Sequence, residues 1–181
     1  MDAKMHNGIA IVFMIAAAAT VSAFIILLST EWPTFAATEE AKFWAGLEGE
    51  FEEPPVDTVA SGMAVFKGMQ DRIWYMINVT SIDKVTAAHI HSGGQGENGP
   101  IVVWLFKSDF PTENLNGTLA QGNITADMLE GPFLGKQLSE LGLEMQNNAT
   151  YVNIHTTDHP DGEIRGQIMS ADLTHAEIMM N

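Results

Sequence analysis

The chain has 181 residues, with 8 basic and 23 acidic side chains, six histidines and no cysteine. Without cysteine there is no disulfide framework, thiolate zinc site, iron–sulfur cluster or blue-copper centre. A net charge of −15 argues against nucleic acid as a partner, because phosphate neutralisation needs clustered Lys and Arg.

Residues 1–7 form a short polar start, after which the run from Gly8 to Leu28 carries no charge. A helix rises about 1.5 Å per residue, so this run is long enough to cross a hydrocarbon core about 30 Å thick. The pattern predicts a transmembrane helix over residues 8–29, an uncleaved signal anchor. Lys4 and the free amine precede it, and Glu31, Glu39 and Glu40 follow. That asymmetry leaves residues 1–7 in the cytoplasm and the rest on the extracellular or pseudoperiplasmic side. Cleavage after Ala23, or near Ala36 and Ala37, would instead yield a secreted protein. Four Asn-x-Thr sequons, at Asn78, Asn116, Asn123 and Asn148, fit an exterior placement and are the glycosylation candidates.

Residues 30–41 read as a linker, residues 42–169 as one β domain, and residues 170–181 as a tail without clear pattern. In the domain, period-two alternation is broken by Gly, Pro, Asn and Asp. Phe43, Ala45, Leu47 and Phe51 share one parity, as do Ile73, Tyr75, Ile77 and Val79. Further strands are expected over 85–91, 101–106, 151–156 and 163–168. Only 126–129 and 136–146 look helical. The expected fold is all-β, an antiparallel sandwich or barrel.

The chemistry lies with the histidines. In Ala88-His-Ile-His-Ser92 two imidazoles stand two residues apart on a predicted strand. They therefore share a face, about 6.5–7 Å apart along it, and can converge on one ion at about 2.0 Å each. A second pair, His155 and His159, precedes Pro160-Asp-Gly162. An extended strand would hold these two apart, whereas a bend in that turn-like stretch would return His159 toward the others. Histidine ligands suit copper(II) or zinc, and the site should weaken as imidazoles protonate below about pH 6.5. Asp158 and Asp161 read as solvated turn residues. Glu163 and Arg165 read as a surface ion pair, and Glu48, Glu50, Glu52 and Glu53 as a solvated acidic face in preference to a calcium site.

Three motifs together resemble a known family. Leu47-Glu-Gly-Glu-Phe-Glu-Glu-Pro-Pro-Val56 with Ala60-Ser-Gly62 looks like the opening of a CHRD (chordin-type) domain. Val85-Thr-Ala-Ala-His-Ile-His91 with Asn98-Gly-Pro-Ile-Val-Val103 matches its centre. Tyr151-Val-Asn-Ile-His155 and His159-Pro-Asp-Gly-Glu-Ile-Arg-Gly-Gln-Ile168 match its close. The resemblance implies an immunoglobulin-like or superoxide-dismutase-like sandwich on an exterior, membrane-attached protein. The His-x-His strand and the glycine-rich loop after it are also similar to the copper-binding segment of copper/zinc superoxide dismutases. That likeness implies His89 and His91 as two strand ligands and His155 as a third, with His159 lacking a counterpart. The chain departs from that pattern in having no cysteine pair, no recognisable zinc loop and no identified substrate-guiding arginine, which argues against dismutation.

These readings lead to a membrane-anchored exterior domain that binds copper, or alternatively zinc, through His89, His91, His155 and His159. Its role would be metal handling or support of a membrane copper enzyme, with a membrane protein complex as partner and no catalytic residue assigned. One alternative is a non-catalytic adhesion or assembly module with structural histidines. A further alternative is a superoxide-dismutase-like redox enzyme.

Overall fold

A computed structural model of the protein describes residues 41–171. The predicted anchor over 8–29 and its preceding residues, the linker up to residue 40, and the tail from residue 172 lie outside the described residues. Among the described residues no helix is long and apolar enough to cross a membrane.

The chain forms β1 (Lys42–Glu48), β2 (Ser61–Gly68), β3 (Ile73–Ile82), β4 (Val85–Ser92), β5 (Ile101–Thr112), β6 (Leu115–Ile124), α1 (Leu138–Gln146), β7 (Thr150–Thr156), β8 (Ile164–Gln167) and β9 (Met169–Ser170). All strand pairings are antiparallel. The sheet runs β5-β4-β7-β8-β1-β2-β3-β6, with β9 beside β1. Its two ends, β5 and β6, follow one another in the chain, so the sheet curls until it is nearly closed. The expected all-β antiparallel architecture is therefore present, with one short helix at 138–146.

Period-two sequences make this sheet because alternate side chains then share a face. Phe43, Ala45 and Leu47 of β1 enter the core with Ile73, Tyr75, Ile77 and Val79 of β3. Across from them lie Ala88 and Ile90 of β4, Val103 and Leu105 of β5, and Val152 and Ile154 of β7. Each fully buried Ile or Leu contributes about 1.5–3 kcal/mol. Phe51 breaks the expected parity. The strand ends at Glu48, a 3-10 turn follows over Gly49–Phe51, and Phe51 is exposed. A Cβ at Gly49 would sit 2.4 Å from the Val56 carbonyl oxygen, so the glycine lets the chain turn back on itself there.

One hydrogen bond ties β3 to β5 through the interior, where the buried Tyr75 hydroxyl donates to the Leu105 carbonyl at 2.6 Å. Tyr75→Phe removes the donor and leaves that carbonyl without this partner. The expected loss is about 1–3 kcal/mol, readable as a lower urea midpoint at unchanged slope.

The site depends on the other face of the sheet. In β4 and β7, His89 pairs with Asn153 and His91 with Tyr151. In turn Asn153 pairs with Arg165 of β8, and Arg165 with Glu48 of β1. These residues alternate with the core positions, so they point outward. Yet His89, His91, Tyr151, Asn153 and Arg165 are all buried, because the segments 49–60, 93–100 and 157–163 fold over this part of the sheet. An outer face has become a covered polar layer.

Candidate metal centre

His89 and His91 leave β4 on this covered face, and His155 leaves β7 beside them. One nitrogen of each ring lies within 4.8 Å of the other two. His89 Nδ1 is 3.1 Å from His155 Nε2. Bonds of about 2.0–2.1 Å to a tetrahedral ion need nitrogens about 3.4 Å apart, so the three rings must draw closer to hold one.

The protons are assigned by what surrounds them. His91 Nδ1 is 2.9 Å from the Gly99 carbonyl, and His155 Nδ1 is 2.9 Å from the Pro160 carbonyl. A carbonyl only accepts, so each Nδ1 carries the hydrogen and each Nε2 keeps a free lone pair. His155 Nε2 accepts the hydrogen of His89 Nδ1 in the metal-free site, a bond that an ion on His155 would replace. The Nε2 atoms of His89 and His91 are buried without a hydrogen-bond partner. Such orphaned nitrogens cost about 1–3 kcal/mol apiece, and a metal ion is a partner that relieves the cost. Carbonyls holding the far nitrogen of a ligand imidazole are the usual means of fixing its tautomer and orientation.

Packing holds the rings in place. His91 stacks on Tyr151 at 4.9 Å and 14°, and the Arg165 guanidinium lies 4.2 Å over the other ring's centre, that of Tyr151. The Tyr151 hydroxyl accepts the Gly99 N–H at 3.1 Å. Arg165 donates to Asn98 Oδ1 and to the Glu97 carbonyl, both at 2.9 Å. Strand and loop are thereby joined where Gly99 meets His91. His89 stands edge-on to Trp104, with centroids 4.1 Å apart, and the Trp104 indole donates to Glu130 at 3.0 Å.

Burial also sets the charge state. Desolvation, with the other imidazoles adding to it, pushes His89 down to about 3. His91 and His155 are likewise lowered, chiefly by burial. Protonation is therefore shifted below the ordinary value near 6.5 for all three rings, most strongly for His89. The sign for stability follows from linkage. Unfolded imidazoles take protons near 6.5 and the folded ones do not, so the metal-free domain loses stability as pH falls below about 6.5.

Other sequence expectations change at this covered layer. Glu163 and Arg165 are buried, and each has its own partners instead of a surface ion pair. Glu163 accepts from Thr58 at 2.7 Å and from Thr156 at 2.8 Å. Glu52 does not belong to a solvated acidic face. It is 5% exposed, and burial lifts its carboxyl to about 7 despite the nearby Arg165. That shift has the opposite sign from the histidines', giving stability present below pH 4.5 and lost as pH rises through 7.

His159 is not brought into the group of three. It is half-buried in the turn after β7, where its N–H donates to Thr156 Oγ1 at 3.1 Å and its carbonyl accepts the Gly162 N–H at 3.1 Å. The four sequon residues Asn78, Asn116, Asn123 and Asn148 are all exposed. Sequence reasoning did not single out Tyr151, although it shares parity with His155. Nor did it find Gly99, Pro160 or Trp104, which carry no ligand signature.

A family model for the CHRD domain matches residues 43–168. No curated protein matches the chain. The expected superoxide dismutase likeness of the His-x-His strand and its loop is not among the matches found.

Proposed function

The chain belongs to the CHRD-domain family, and from that premise we propose that its domain binds one copper ion, or alternatively zinc, through His89, His91 and His155. The observation that carries this reading is the convergence of three imidazoles, two of them held through Nδ1 by the carbonyls of Gly99 and Pro160. Neutral nitrogen ligands favour copper(II) and zinc over calcium or magnesium. Three protein ligands leave room for a fourth from solvent or from a donor or acceptor of the ion, as transfer requires. We place the domain on the exterior side of a membrane, held by the uncharged run from Gly8 to Leu28. Its role there is to acquire, buffer or deliver the metal, including to a membrane copper enzyme.

The test is metal content of the full chain after loading and exhaustive dialysis. About one retained ion is expected in the parent and none in a folded His89→Ala/His91→Ala variant. A parent that retains nothing overturns the reading and returns the domain to an adhesion or assembly role.

Acidity separates this site from an exposed histidine pair. Proton and metal compete for the same nitrogens, and burial disfavours the proton. Half the ion should therefore be lost only below the ordinary imidazole value of about 6.5. A pH series of the dialysis measurement checks this, and release centred on 6.5 would contradict the buried geometry.

A further inference from the structure

A second group of titratable side chains lies beside the histidines, and the triad does not use it. The segment after β1 and the turn after β7 flank a half-open cavity of about 260 Å³ whose polar lining is Glu52, Glu53, Asp158, His159 and Asp161, with Gly162 and apolar residues completing the wall. We propose that this cavity captures a hydrated divalent cation and loads it onto His155, His89 and His91. The loading role rests on the reading of the triad as a metal centre, whereas the cation site itself does not.

The inner end of the cavity supplies the first argument. Glu52 lines it while only 5% exposed, and its Oε1 has no hydrogen-bond partner. Its Oε2 has only a long contact, 3.4 Å from Asn153 Nδ2. A buried carboxyl oxygen without a hydrogen-bond partner is costly and is relieved by a cation, a water or a proton. Gly162 keeps this end open, because a Cβ there would stand 2.8 Å from Glu52 Oε1 and 2.6 Å from Asn153 Oδ1. Its φ of +131° disfavours other residues as well.

The second argument is charge. Asp158 is paired with Lys84 at 2.9 Å, while Glu53 and Asp161 have no ion pair among the described residues. The mouth is therefore negative. A cleft lined by one sign of charge raises the local concentration of its counter-ion and its association rate. Among the described residues the histidine triad is the group of three ligating side chains that closes within 4.8 Å. The carboxylates stand wider than that, so they suit an ion that keeps its water shell.

The third argument is position. The cavity's turn contributes the Pro160 carbonyl that holds His155 Nδ1, and His155 is the most exposed ligand of the triad. His155 is thus the triad ligand joined to the cavity's wall, through Nδ1, with Nε2 left to take the ion. His159, on the cavity wall, offers one imidazole for the exchange of water for nitrogen.

Two measurements on the full chain test the inference. In the first, zinc loading is followed by stopped flow against a chelating dye at low and high salt. Glu53→Gln/Asp161→Asn should load about tenfold more slowly than the parent at low salt, with a weaker salt dependence and the same final content. Equal rates would overturn the loading role. In the second, manganese alone is added to His89→Ala/His91→Ala protein and read by water proton relaxation. Binding that disappears on adding the two carboxamides supports the cavity site, even if the parent never retains zinc. No manganese binding, or binding indifferent to the carboxamides, overturns it.

Discussion

Zinc at about a thousandfold excess over its dissociation constant is expected to stabilise the domain by about 4 kcal/mol. For a domain of this size, that raises the melting midpoint by roughly 10–20 °C. The gain is large because the metal-free site is poorly satisfied. His89 and His91 each bury an Nε2 without a partner, and protonation is closed as a remedy by the burial that pushes His89 down to about 3. An ion binds only the folded arrangement with its full set of ligands, so its binding free energy adds to folding. The His89→Ala/His91→Ala variant provides the contrast. It removes two unsatisfied nitrogens along with some packing, so its metal-free stability should stay within about 2 kcal/mol of the parent. Its midpoint should not respond to zinc. Thermal melts with zinc or with chelator check both statements, and an equal rise in parent and variant would assign the effect to binding elsewhere.

The residues that made the fold legible are those whose neighbours in sequence are also their neighbours in role. Ile73, Tyr75, Ile77 and Val79 alternate cleanly and all reach the core. His89 and His91, two apart on β4, share a face as their spacing demands. β2 and β6 are harder to read. β2 carries Gly62 and Gly68 at its ends, and β6 holds only Leu115, Leu119, Ala120 and Ile124 as apolar residues. What makes β6 a strand is its register against β3, a contact with no local signature. Phe51 was misplaced because parity was extended past Gly49, where the backbone turns.

The covered outer face explains the larger misreadings. Glu52, Glu163 and Arg165 are charged residues on an edge of the domain's alternation pattern, where charge ordinarily means solvent. They are buried because loops far apart in sequence close over β1, β7 and β8. Arg165 reaches back 68 residues to the Glu97 carbonyl, and Glu163 reaches 105 to Thr58. Sequence alternation identifies a face but does not say what lies on top of it. The same loops supply the carbonyls of Gly99 and Pro160, so the ligands were legible while the groups that orient them were not.

That dependence on loop backbone makes Gly99 the most sensitive position outside the ligands themselves. A Cβ at Gly99 would fall on the Ser92 carbonyl oxygen, at the point where the Ser92 N–H donates to Pro100 at 3.0 Å. No side chain can yield there, because both parties are backbone. Gly99→Ala must therefore displace the loop, and with it the carbonyl that holds His91 and the N–H that meets Tyr151. The expected cost is on the order of 3 kcal/mol in stability. Metal affinity should fall 10–100-fold, as when an imidazole loses the group that orients it. Gly96 in the same loop is the control, with nothing within 4 Å of its Cβ position. Its φ of +77° makes Gly96→Ala a backbone penalty of about 1 kcal/mol with metal affinity unchanged. Tyr151→Phe separates the remaining contributions, since it keeps the stack on His91 and removes only the acceptor for Gly99. Its affinity should fall between those of the two glycine variants. Competition titrations against a zinc chelator rank all three. If Gly99→Ala bound zinc as tightly as Gly96→Ala, the Gly99 carbonyl would have no part in orienting His91, and the ring stack would be its sole support.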